Sequence, residues 1–101
     1  MTYHDLASTF RDGPREIPTA PKYGIPKWFC VYEKNGVLYV ASGREHTNAC
    51  SICPDRKLKE EEFPVMLDLY KRREAGEPVA KEAKEQSMNQ SYWFGIIRAV
   101  S

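Results

Sequence analysis

Asn35-Gly36 sits between two runs of residues that favour extended backbone, Trp28-Phe29-Cys30-Val31-Tyr32 and Val37-Leu38-Tyr39-Val40-Ala41. Asn-Gly readily takes the two left-handed positions of a type I′ turn, whose twist matches that of paired antiparallel strands. The β-branched and aromatic residues on either side suit a pleated surface. A turn at 35–36 also fixes the register, setting Tyr32 opposite Tyr39, Val31 opposite Val40 and Cys30 opposite Ala41. Side chains alternate across a strand, so Trp28, Cys30, Tyr32 and Tyr39 share one face. Gly43 ends the second strand. Any fold for this chain has to be built around that hairpin.

The flanking segments are read from their spacing. Residues 2–11 predict a short helix, with Leu6 and Phe10 four apart on one face. Residues 13–27 hold Pro14, Pro18, Pro21 and Pro26 together with Gly13 and Gly24, which forbids a regular helix and predicts an extended arm or wrapped loop. Ile17, Tyr23 and Ile25 predict that this arm packs on the rest; a proline-rich ligand for a partner domain is the alternative. Residues 44–56 read as a loop. Phe63, Met66, Leu67 and Tyr70 recur at spacings of three and four and predict a helix from near Glu62, with Pro64 in its first turn and Gly76 as its stop. Lys57–Glu61 is expected as a separate turn. Pro78 opens a second short helix through Ala83 and Lys84 toward Gln86, and Ser87-Met88-Asn89 is a break. Residues 90–101 read both ways. Tyr92, Trp93, Ile96, Ile97 and Val100 mark one helical face, yet Tyr-Trp-Phe-Gly-Ile-Ile is also strand-like; a helix is preferred because two short helices and a tight break precede it.

The expectation is one α+β domain over 1–101. It has an N-terminal extended arm with a short helix and the proline-rich segment (1–27), a hairpin with a cysteine-containing loop (28–56), and a C-terminal helical unit (57–101). Val31, Val40, Leu67, Tyr70, Trp93 and Ile97 are the expected core. A chain of 101 residues buries only a modest interior, so a metal or partner is a useful staple. The net charge of +1 exerts no global pull on nucleic acid, and residues 57–101 carry equal numbers of acidic and basic side chains. No apolar run approaches the roughly 18 residues of a membrane helix, and Met1–Phe10 lacks the basic flank and apolar core of a secretory signal. The three cysteines are then expected as reduced thiols or metal ligands in the cytoplasm. No phosphate-cradling glycine motif or G-x-S-x-G elbow occurs, and His4 and His46 lie far apart, so no enzyme is expected.

His46, Cys50 and Cys53 read H-x-x-x-C-x-x-C. Two thiolates on a tight turn, a nearby imidazole and Cys30 from the hairpin would complete a closed, structural tetrahedral zinc site, with Asp55 or His4 as substitutes for the fourth ligand. The competing readings are a buried strand cysteine with two reduced loop thiols, and a redox pair at 50 and 53.

Residues 63–100 resemble helix-turn-helix DNA-binding domains through Arg72-Arg73-Glu74-Ala75-Gly76-Glu77-Pro78-Val79, Ala83 and Ser87-Met88-Asn89-Gln90-Ser91. The resemblance implies that Ala83 lets two helices approach, that Met88, Trp93 and Ile96 anchor the second one, and that Asn89, Gln90, Ser91 and Tyr92 meet base edges in the major groove. Arg72, Arg73 and Lys81 would then contact phosphates, and useful affinity would call for a homodimer. Glu82 and Ser87 depart from the apolar residue and the turn glycine of that family. The expected function is a small, zinc-stabilised regulator that binds double-stranded DNA and acts on transcription, an origin in a phage or mobile element fitting its size and layout. The alternative is a protein-binding adaptor or inhibitor that uses the aromatic surface of Tyr23, Trp28, Tyr32 and Tyr39, with no nucleic acid.

Overall fold

A computed structural model describes residues 1–101. The elements run α1 (Tyr3–Thr9), β1 (Arg15–Pro18), β2 (Trp28–Lys34), β3 (Val37–Ser42), β4 (Arg56–Leu58), α2 (Glu62–Glu74), α3 (Ala80–Gln86) and α4 (Gln90–Val100). The fold is α+β. Asn35 and Gly36 turn with φ of 54° and 79°, and β2 and β3 pair Tyr32 with Tyr39, Val31 with Val40 and Cys30 with Ala41. The sheet is an antiparallel meander, β1-β2-β3-β4.

The two outer strands are additions to the expected hairpin. β1 comes from the proline-rich arm and sets Glu16 opposite Cys30 and Ile17 opposite Phe29. Pro18 is tolerated because β1 is an edge strand, where a missing N–H costs no ladder bond. β4 forms where a turn was expected and sets Leu58 opposite Leu38. Neither strand is long enough to display the alternation that marks β2 and β3.

The helices all lie on one side. Ile17, Phe29, Val31, Leu38, Val40 and Leu58 are buried beneath them, as are Phe63, Met66, Leu69 and Tyr70 of α2 and the run Trp93–Ile97 of α4. Trp93 lies between Tyr3 of α1, at 6.3 Å, and Phe63 of α2, at 5.7 Å between ring centroids. Its indole N–H donates to Glu62 Oε1 at 3.1 Å, and Ser87 Oγ donates to the same oxygen at 3.1 Å. One carboxylate at the start of α2 thereby fixes both α4 and the break before it. The Tyr3 hydroxyl accepts from Leu38 N–H at 2.8 Å and donates to the Leu58 carbonyl at 2.7 Å, which stitches α1 to β3 and β4. Thr2 and Asp5 close a capping box that starts α1, with each side chain satisfying the other residue's backbone N–H.

Two expectations are corrected here. Ile17 packs in the core, but Tyr23 and Ile25 do not, at 85% and 81% exposed. Leu67 is half-buried at the edge of the core rather than within it. No helix is long and apolar enough to cross a membrane.

Gly95 sets the depth of α4. A Cβ there would lie 2.6 Å from the Pro18 carbonyl oxygen and 3.1 Å from the Phe29 ring. Gly→Ala within a helix normally stabilises by about 1 kcal/mol. Here overpacking outweighs propensity, and Gly95→Ala is expected to cost a net of about 1–3 kcal/mol in urea denaturation. A stabilised variant would mean that α4 sits farther from the sheet.

Candidate functional site

The sheet face opposite the helices carries Trp28, Cys30, Tyr32, Tyr39 and Ala41, all half-buried. It is braced from its ends by loops. Glu16, on the same face, has a side chain only 6% exposed. Its Oε2 accepts from the Arg44 N–H at 2.6 Å and the Glu45 N–H at 2.7 Å, while Oε1 accepts from His46 Nδ1 at 2.9 Å. The His46 ring lies flat on the Trp28 indole, with centroids 3.5 Å apart and planes 2° from parallel. The hydrogen bonds from His46 and then from the Arg44 N–H hold the Glu16 carboxyl below the usual carboxylate range, against the opposing effect of burial.

Backbone contacts complete the brace. The Trp28 N–H donates to the Asn48 carbonyl at 2.8 Å, and the Cys50 N–H donates to the Trp28 carbonyl at 2.7 Å. Gly43 is required here, because a Cβ would come within 2.5 Å of the Trp28 carbonyl oxygen. Farther along, Tyr32 and Tyr39 stack at 5.3 Å, and the Tyr32 hydroxyl donates to Asp55 Oδ2 at 2.6 Å. That bond, with some burial, pushes Tyr32 up to about 12. Glu16 and Asp55 are thus both engaged within the chain.

The β1–β2 connection continues as a projecting tip. The Thr19 N–H donates to the Lys27 carbonyl at 2.9 Å, and the Lys27 N–H donates to Thr19 Oγ1 at 3.0 Å. Asn48 Nδ2 anchors the far side by donating to the Pro26 carbonyl at 2.7 Å. Between these ties Tyr23 and Ile25 stand in solvent. Lys22 and Lys27 are exposed beside them.

The four expected zinc ligands are not brought together. Cys30 lies on the bare face beside Glu16, whereas Cys50 packs against the core on the helical side and Cys53 is exposed. The sheet itself separates the strand thiol from the loop thiol, which the spacing along the chain could not reveal. Burial pushes both the Cys30 and Cys50 thiols up, which favours the protonated forms. The one convergent group of possible ligands is Glu16, Glu45 and His46, whose ligand atoms lie within 4.8 Å of one another. Both Glu16 oxygens already accept hydrogen bonds, so the trio is a clamp on residues 44–46.

The residues expected to meet DNA are dispersed among other tasks. Arg72 is held by Asp68 at 3.7 Å, Glu77 at 3.4 Å and Glu82 at 3.1 Å. Arg73 lies over the Phe94 ring and donates to the Ala20 carbonyl. Tyr92 packs against Phe29 at 5.1 Å, and Asn89 Oδ1 accepts from Arg56 at 3.3 Å. Gln90 and Ser91 line a cavity with Arg73, and Lys81 is exposed. Ala83, Trp93 and Ile96 are fully buried, but Met88, expected as an anchor after the turn, is 87% exposed. No protein-family model, curated protein or solved structure matches the chain.

Glu16 was the residue missed. It sits in a proline-rich arm, and only its pairing with Cys30 in β1 places it beside the loop that carries His46. Its lowered pKa sets a pH dependence. A carboxyl that is more acidic in the folded state contributes stability above its unfolded value of about 4.3, and loses it as pH falls through the lower folded value. The stability advantage of the wild type over Glu16→Gln is therefore expected to be full at pH 7, to shrink below about pH 4.3, and to lose its pH-dependent part at the lowest pH. Urea midpoints across that range measure it; a difference that does not vary with pH would contradict the clamp.

Proposed function

We propose that the protein is a protein-binding adaptor or inhibitor that presents the Pro21–Pro26 tip and the adjoining aromatic face to one partner. The observation that carries this reading is the exposure of Tyr23 and Ile25, at 85% and 81%, on a loop tied down at both ends. Large apolar side chains exposed to water gain most by entering a cleft, at about 25 cal/mol per Å² buried. Aromatic anchors on a braced backbone lose little entropy when they do so. Lys22 and Lys27 have no carboxylate partner in the chain, so the matching cleft is apolar with an acidic rim. Trp28, held flat by His46, begins the aromatic surface next to the tip. A DNA-reading role for residues 72–92 is the rival, and it has less support because Arg72 is surrounded by three carboxylates and Tyr92 packs on Phe29.

A photo-crosslinking residue in place of Tyr23, introduced in the cells that make the protein, is expected to capture one partner protein. That partner, purified and mixed with the wild-type chain, should bind directly, and Ile25→Asp should weaken it by about tenfold or more. Absence of such a partner, together with salt-sensitive binding to duplex DNA that Arg72→Ala or Gln90→Ala abolishes, would replace this reading with the DNA-binding one.

A further inference from the structure

Arg72 and Arg73 are neighbours in the last turn of α2 with opposite surroundings. Arg72 has three carboxylates around it. Arg73 has none; its guanidinium lies 5.2 Å from the Phe94 ring centroid, and a single N–H donates to the Ala20 carbonyl. The other guanidinium N–H groups have no acceptor in the chain and border a cavity of about 320 Å³ between the start of the β1–β2 tip and the start of α4. Phe94, Val79 and Pro78 form its apolar part, and Gln90, Ser91 and Lys22 its polar mouth. Glu77 also lines it, but that carboxylate is paired with Arg72 at 3.4 Å. The balance of free charge in the cavity is therefore positive.

A guanidinium stacked on an aromatic ring and tethered by a carbonyl has already lost much of its rotamer freedom, and its remaining fork matches two oxygens of a carboxylate or phosphate. The volume falls within the range of small-molecule sites, which begins at about 300 Å³. We propose that this cavity binds a small organic anion, a carboxylate or phosphate monoester attached to a flat apolar group. Arg73 grips the oxyanion, Gln90 and Ser91 add hydrogen bonds, and Phe94, Val79 and Pro78 receive the apolar group. The site shares Pro21 and Lys22 with the base of the docking tip but does not use its anchors, Tyr23 and Ile25.

Benzoate and phenyl phosphate are the probes that separate a carboxylate from a phosphate ligand, and benzyl alcohol reports the apolar group alone. Titration followed by amide NMR is expected to show at least one of the two anions binding at millimolar or lower concentration. The shifts should centre on Ala20, Gln90 and Ser91, and benzyl alcohol should bind more weakly by about tenfold or more. Arg73→Gln should weaken the anion by a similar factor. Because that change also alters the Ala20 tether, Gln90→Glu serves as the second variant. It leaves the tether intact, places a like charge at the mouth, and should weaken the anion by about tenfold. Failure of both anions to bind at millimolar concentration, equal binding of benzyl alcohol, or wild-type affinity in either variant would overturn the proposal.

Discussion

The burial of α4 against the inner face of the sheet governs the remainder of the molecule. Five consecutive residues, Trp93–Ile97, are buried, so almost the whole circumference of the helix is used in packing. Gly95 removes the side chain that would hold α4 away from Pro18 and Phe29, and Trp93 joins α1, α2 and α4 through its ring and its bond to Glu62. Only its two ends, Gln90–Tyr92 and Arg98–Val100, keep appreciable exposure to solvent. In a chain this short, such a contact also supplies much of the interior that a metal staple would otherwise have had to replace.

Placing every helix on one side leaves the second sheet face to be managed by loops. Small domains commonly leave one face of an antiparallel sheet toward solvent, with polar residues on it. Here that face carries aromatic residues instead. Glu16 pins residues 44–46, His46 covers one side of Trp28, and Asp55 engages Tyr32. Each device fixes an aromatic ring or a loop, and two of them use a carboxylate to do so. The outcome is a braced surface that ends in a tip where two large apolar residues, Tyr23 and Ile25, stand in water.

The hairpin was legible because turn chemistry and alternation agreed. Asn35-Gly36 set the register of β2 and β3 residue for residue, and the spacing of Phe63, Met66 and Tyr70 located α2. The preference for a helix over residues 90–100 also matched the fold, although periodicity alone left a strand open there. β1 and β4 were hidden because three or four residues cannot express a period of two, and because prolines in the arm masked an edge strand. The site was harder to read. The spacing of His46 to Cys50 and Cys53 suggests a shared site, but its partner is Glu16, thirty positions away along the chain. Cys30 and Cys50 were grouped by proximity in sequence, while the sheet places them on opposite sides. Chain spacing reports local reach; which face of a sheet a residue occupies depends on pairings made elsewhere.

Native-state hydrogen exchange, resolved by residue, tests the role of α4 most directly. The amides of Trp93–Ile97 are expected to exchange only through global unfolding, with the same free energy as the central amides of β2 and β3. Exchange of those helical amides at a clearly lower free energy than the sheet would mean that α4 detaches as a peripheral unit, and would contradict the account.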